Sequence, residues 1–335
     1  MTAAPADPSA PLAAGRNFTR RVLIAAAVVV AVGVILVRID VASFMNALGT
    51  VSILMIVALG LTIIFGILKI ANFAHGDFVM VGAYVTWGVQ STMGFDGAFF
   101  IALPAAFLAV ALLGLIVEAG ALRFVYGRGL IPPMLVTWAL GIIIHEAISV
   151  IFGRHFKSVK LPIKSPIEFF GVSYPGYTTF LVATGIVVVV ALIVLFSRTS
   201  FGAKSRAAAE DATMAEAVGI NVRNVYKMNI ALGAGLAGLA GSLLSPLYAV
   251  EPLMGTLWLM KSFLVLIVGG VGNILGTIVG ANAMGWPEQL LGAELPSSIH
   301  WPPLVLAQVI VFALAIVLIL LRPQGLLGGV SHRED

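Results

Sequence analysis

Apolar residues fall in runs of nearly span length, separated by short polar or glycine-rich joints. The run Val22–Val37 follows Arg20-Arg21. Beyond it the pattern predicts helices at about 51–68, 78–92, 98–117, 130–152, 177–197, 228–248 and 300–321. A helix needs about 20 apolar residues to cross roughly 30 Å of hydrocarbon. Barrel strands would alternate apolar and polar over segments of about 10 residues, and no such alternation is present. The stretch 258–285 is long enough to enter the membrane but is broken at Gly269-Gly270-Val271-Gly272-Asn273. The expected fold is an all-α integral membrane protein, a polytopic bundle of about eight transmembrane helices plus a re-entrant or broken helix. Residues 1–19, rich in Ala and Pro, read as a disordered cytoplasmic N-terminus. Residues 20–43 read as an extra N-terminal transmembrane helix. The length of Val22–Val37 also suits a signal peptide, but no small-x-small cleavage site follows at once.

Composition agrees with lipid as the solvent. Of 335 residues, 60% are hydrophobic and 10% charged, against about 25% charged in soluble domains. There is no cysteine, so disulfides and thiolate metal sites are excluded. The net charge of +4 is spread between apolar segments, as in basic loops rather than a nucleic-acid surface. Placing both termini inside collects Arg16, Arg20, Arg21, Arg123, Arg128, Arg198, Lys204, Arg206, Arg223, Lys227 and Arg322 on the cytoplasmic side. Arg154, Lys157, Lys160 and Lys164 then face outside. This arrangement requires 258–285 to enter and leave by one face.

Three segments carry candidate chemistry. Asn72-Phe-Ala-His75-Gly76-Asp77 places an amide, an imidazole and a carboxylate between two apolar helices. Ionisable groups at membrane depth are costly and normally face a water-filled path or a partner. The segment therefore reads as a helix break lining a pore; the alternative is a cytoplasmic turn in which Asp77 caps the next helix. The connection 198–227 is the most polar part of the chain. Within it Ala207, Met214, Ala215, Ala217 and Val218 suggest a short helix with a small-residue face, stopped by Gly219. Such a helix could dock into another protein or lie on the membrane surface. The run Gly233-Ala-Gly235-Leu-Ala-Gly238-Leu-Ala-Gly241 suits close helix packing in lipid, within the bundle or against another subunit. With Gly269–Asn273 downstream, this half is expected to hold a second glycine-rich break facing the first. His145-Glu146, about 10 Å from its helix end, lines an entrance or snorkels outward. Lys261 seeks an acidic partner, with Glu146 and Glu251 as candidates. Trp258, Trp286 and Trp301 read as interface anchors. No phosphate loop and no catalytic constellation occurs in the sequence, which favours transport over catalysis.

Gly60-Leu-Thr-Ile-Ile-Phe-Gly66, Asn72-Phe-Ala-His75-Gly76-Asp77, the 202–220 segment, Gly269-Gly270-Val-Gly272-Asn273 and Arg322-Pro323-Gln324-Gly325 resemble the branched-chain amino acid class of ABC importer permeases over about 44–327. The resemblance implies a bacterial inner-membrane permease domain at 44–327, a coupling loop at 198–227 and a C-terminal tail at 328–335. It also implies a homologous second permease subunit, two cytoplasmic ATPase subunits and a periplasmic solute-binding protein. ATP and magnesium would belong to the ATPase, leaving no cofactor in this chain. The expected substrate pathway is Asn72, His75, Gly76, Asp77, His145, Glu146, Gly270, Gly272 and Asn273. The expected ATPase-coupling residues are Arg206, Glu210, Asp211, Ala215, Gly219 and Ile220. Arg123-Phe-Val-Tyr126-Gly-Arg128 and Thr137-Trp138 are also similar to the urea and short-amide branch. Branched-chain amino acids and urea-like amides thus stand as alternative solutes, and a proton-coupled secondary transporter using His75, Asp77, His145 and Glu146 as a second class of mechanism.

Overall fold

The computed structural model describes residues 41–95, 97–129, 131–169, 172–295 and 301–327. The tract 1–19, the tail 328–335 and all but the last three residues of the expected helix 20–43 lie outside them. The chain runs through α1 (Val41–Leu68), α2 (His75–Met93), α3 (Ala98–Gly120) and α4 (Ile131–Phe152). A short antiparallel hairpin follows, β1 (Ile167–Phe169) and β2 (Val172–Tyr174), with Ile167 opposite Tyr174. Then come α5 (Gly176–Arg198), α6 (Ser200–Glu210), α7 (Ala212–Ala217), α8 (Val222–Leu244), α9 (Met254–Gly269), α10 (Ile274–Glu294) and α11 (Pro303–Leu321). The described residues from Met45 onward belong to one compact unit.

Among the described residues, six helices are long and apolar enough to cross a membrane: α1, α3, α4, α5, α8 and α11. The α9–α10 pair passes only together and bends by 116° at its break, so the broken element expected at 258–285 forms. The predicted helix at 78–92 also forms, as α2, but does not qualify by apolarity. Its polar residues Thr86 and Gln90 are buried against protein. Thr86 donates to Ser242 Oγ at 2.7 Å. Gln90 clamps the Lys160 backbone, accepting from its N–H at 2.6 Å and donating to its carbonyl at 3.0 Å.

Burial follows the inverted logic of lipid solvent. On α3, Leu108, Leu112 and Ile116 recur every four residues and are 65%, 58% and 59% exposed. The opposite stripe Ala102, Ala106, Val110 and Gly114 is buried against α8. The α8 glycines make that approach possible. A Cβ on Gly238 would lie 2.6 Å from the Ala106 carbonyl oxygen, and one on Gly233 would lie 2.6 Å from that of Gly60. One on Gly241 would overlap the Val79 carbonyl. The run is thus spent on packing α8 against α1, α2 and α3 inside this chain.

Loops gather on two opposite faces. Lys157 and Val250 exchange backbone hydrogen bonds of 2.9 Å, joining the 153–166 and 245–253 loops. On the other face the 121–127 loop meets α7 and the start of α8. The C-terminal segment docks there onto the α9–α10 break: Leu326 N–H donates to Val268 O at 2.7 Å and Asn273 Nδ2 to Leu327 O at 2.9 Å.

Candidate functional site

The chain leaves α1 at Leu68, turns through Lys69 with φ of 57°, and begins α2 only at His75. That start lies at mid-depth. His75 Nε2–H donates to the Val57 carbonyl at 2.9 Å, and Val57 sits in the middle of the apolar stretch Ser43–Leu68. Asn72 holds the break from within, its Oδ1 accepting from Ala74 N–H at 3.1 Å. Thr137 on α4 ties it down from outside, accepting from Phe73 N–H at 3.1 Å and donating to Ala71 O at 3.2 Å. A second helix starts beside the first: a Cβ on Gly76 would lie 2.5 Å from the Gly255 carbonyl oxygen at the head of α9. Irregular backbone at this depth is tolerated where protein covers it or a cavity adjoins it.

A cavity of about 500 Å³ opens at this junction. Its wall brings together Asp77 from α2, His145 and Glu146 from α4, and Thr256, Met260 and Phe263 from α9, with Phe73 and Trp138. Asp77 therefore shares one cavity with His145 and Glu146, which lie far from it in sequence. His145 Nδ1–H donates to Pro252 O at 3.1 Å, and Glu146 pairs with Arg154 at 3.2 Å. Asn72 and His75 are buried away from the cavity, 2% and 0% exposed, and Gly76 serves helix contact. They shape the wall without lining it.

The second break does not face the first. Gly272 packs against Gly66, with a would-be Cβ 2.9 Å from Gly66 Cα. Gly272 and Asn273 line a separate cavity of about 320 Å³ with Thr62, Phe196, Arg206 and Ala209. Asn273 caps α10, accepting from Gly276 N–H at 3.0 Å, and Gly270 receives the C-terminal segment at Gly325. This break joins the bundle to α6 rather than to Asp77.

In the 198–227 connection two helices replace the single one expected. Asp211 divides them, its Oδ1 accepting from Met214 N–H at 2.9 Å to cap α7. Gly219, with φ of 86°, stops α7, and Ile220 N–H returns to Ala215 O at 3.0 Å. Ala215 is 3% exposed, so it anchors α7 to the bundle and offers no docking face. Arg206 donates to the Phe196 carbonyl, and Glu210 is exposed at the end of α6. The outward surface is instead Met214 and Val218, 62% and 71% exposed. Beside them lies a groove of about 670 Å³ lined by Arg123, Tyr126, Glu216, Arg223 and Tyr226, among others. Tyr126 OH donates to Glu118 Oε1 at 3.2 Å; burial, reinforced by Glu118, pushes its phenol well above the ordinary value.

Sequence reasoning missed one buried pair. Lys261 Nζ lies 2.6 Å from Glu288 Oε1, not beside Glu146 or Glu251. Helical phase explains the difference: Thr256, Leu259, Met260 and Phe263 face the cavity, and Lys261 points to the other side of α9, toward α10. Gln308 Nε2 adds a 3.1 Å bond to the same carboxylate oxygen, and Lys261 sits 5.1 Å from the Trp258 ring centroid. Trp258 is 4% exposed and is a core residue, not an interface anchor. Trp286 is partly buried and bonded to Asn282, whereas Trp301 is exposed.

The described residues thus form a polytopic helical bundle with discontinuous helices and a cavity at their junction. The sequence matches the family described as "Branched-chain amino acid transport system / permease component" over residues 43–319, and the chain belongs to that family. It is 30% identical to the high-affinity branched-chain amino acid transport system permease protein BraD of Pseudomonas aeruginosa over 297 residues, 84% of this chain and 94% of that protein. It is 28% identical to the permease protein LivH of Escherichia coli K12 over 288 residues, 82% of this chain and 90% of LivH. No solved structure matches the chain significantly.

Proposed function

We propose that this permease is the membrane subunit of an ATP-driven importer of branched-chain amino acids in the bacterial inner membrane. It pairs with a homologous second permease, two cytoplasmic ATPase subunits and a periplasmic solute-binding protein. The reading rests on family membership and on BraD and LivH being branched-chain amino acid permeases. The observation that carries it is the link between the two sites. The α6–α7 segment presents Met214 and Val218 outward while its Arg206 and Ala209 share a cavity with Gly272 and Asn273, and α9 runs from that break to the solute cavity.

In this scheme the N-terminus and the 198–227 face are cytoplasmic, and the joined 153–166 and 245–253 loops receive the loaded binding protein. Closure of the ATPase pair pushes on α7, and the α9–α10 elbow carries the movement to the cavity wall. The test is uptake by proteoliposomes holding the complete complex, with ATP on the ATPase side. ATP-dependent accumulation of radiolabelled leucine, isoleucine or valine is expected. Accumulation driven by a proton gradient through this chain alone would refute the importer, and ATP-dependent uptake of urea in place of these amino acids would refute the solute.

A further inference from the structure

Two buried hydroxyls lie beyond the cavity without a protein partner. Tyr84 on α2 is 2% exposed and Ser149 on α4 is 7% exposed. Among the described residues, Tyr84 OH and Ser149 Oγ are the two buried hydroxyls that make no hydrogen bond. Elsewhere in the bundle such groups are satisfied: Thr86 donates to Ser242 Oγ, and Tyr177 OH donates to Leu243 O at 2.6 Å. A buried hydroxyl without a partner is costly unless water or a ligand supplies one.

Helical phase puts both hydroxyls in line with the cavity wall. Asp77 and Tyr84 are seven residues apart on α2, and His145 and Ser149 are four apart on α4; both spacings keep side chains on one face. Asp77 and His145 line the cavity. The two helices meet there, since a Cβ on Gly141 would lie 2.6 Å from Asp77 Oδ2. Farther along, both reach the joined loops, α2 through Gln90, which holds the Lys160 backbone, and α4 through Gly153. The hydroxyls therefore stand between the cavity and those loops.

Aromatic rings close that interval. Phe152, the last residue of α4, has its ring centroid 5.2 Å from that of Tyr84 and 5.9 Å from that of Trp87. Lys157 Nζ sits 5.0 Å from the Trp87 centroid, and its backbone pairs with Val250. Between Phe152 and Lys157 the chain turns at Gly153, with φ of 75°, where glycine is favoured. The loop thus holds the aromatic cluster at two points, and a partner seated on it bears on Phe152.

We propose that the α2–α4 seam between the cavity and the joined loops is the solute's gate on that face: Phe152 against Tyr84 and Trp87 shuts it, and the Tyr84 and Ser149 hydroxyls hydrogen-bond the polar groups of the passing amino acid. This rests on the importer reading above and adds the residues through which the solute reaches the cavity.

The test uses Ser149→Cys, a near-isosteric change in a chain without cysteine, in the complete complex in proteoliposomes. Modification of this chain by a small membrane-impermeant methanethiosulfonate is followed by mass spectrometry. Labelling should be slow at rest and about tenfold or more faster when liganded binding protein and ATP populate the open state. Thr86→Cys, also buried on α2 but facing Ser242 of α8, should stay unlabelled throughout. Phe152→Ala should give fast labelling at 149 without binding protein or ATP; Phe152→Leu decides the point if the alanine variant does not assemble. Tyr84→Phe with Ser149→Ala keeps the rings and removes both hydroxyls. Its thermal stability should not fall, because neither hydroxyl has a partner to lose, while ATP-driven leucine uptake should drop about tenfold or more. Slow labelling at 149 under every condition, or a rise shared equally by position 86, overturns the gate. Undiminished uptake by the variant lacking both hydroxyls overturns their part in it. If the unmodified complex shows no ATP-dependent leucine uptake, the importer reading falls, and the Phe152 variants still decide the gate.

Discussion

Replacing Glu288 by Gln removes the charge that balances Lys261 in the interior of the bundle. Both residues are nearly inaccessible, 5% exposed for Lys261 and 4% for Glu288, and their atoms are 2.6 Å apart. Gln308 already donates to the same oxygen, so it cannot substitute as a counter-charge. Breaking a buried pair by deleting one partner costs about 3–5 kcal/mol, because the survivor remains charged and desolvated. An ordinary interhelical hydrogen bond in a membrane protein is worth about 0.6 kcal/mol, so the two possibilities are well separated. The assay is a double-mutant cycle of Glu288→Gln, Lys261→Met and both together, measured by unfolding of the purified protein in mixed micelles. Each single variant should lose about 3 kcal/mol, and the double variant should recover at least about 2 kcal/mol of the summed loss. Single losses below about 0.6 kcal/mol that simply add would refute the claim that this pair fastens α9 to α10.

The glycine contacts should be similarly intolerant. Gly238→Val would drive a side chain into the Ala106 carbonyl, and folded yield in detergent should fall, consistent with overpacking costs of about 1–3 kcal/mol or more. Asp211→Ala removes the α7 cap and should cost about 1 kcal/mol of stability, with faster hydrogen exchange confined to 212–218. Met214→Lys with Val218→Asp alters only exposed positions; thermal stability should stay within about 0.5 kcal/mol of the parent while solute-stimulated ATP hydrolysis is lost. Retained stimulation would remove α7 from the coupling path.

Much of the bundle was legible because apolar run length reports membrane spans directly, and all seven helices expected after the first form among the described residues. The polar break was legible too, since Asn72, His75 and Asp77 are expensive at depth and stood out from their surroundings. Their separate roles were not. Whether a side chain lines a cavity or braces the backbone depends on helix phase and on partners distant in sequence, such as Val57 for His75 and Gly141 for Asp77. Glu288 escaped notice because pairing with Lys261 requires the bend between α9 and α10, which no local pattern encodes. The burial of Ala215 was not legible for the same reason: a small residue on a short helix suits an outer or an inner contact equally, and only the surrounding bundle decides.

The chain contains no cysteine, so single cysteines can report sidedness without background. Val218→Cys at the end of α7 and Lys164→Cys in the loop before β1, treated in intact cells with a membrane-impermeant maleimide, bear most directly on whether a motor can reach α7 from inside. Labelling at position 164 with protection at 218 until the cells are opened is the predicted result. Labelling of position 218 in sealed cells would put α7 on the wrong side of the membrane for an ATPase.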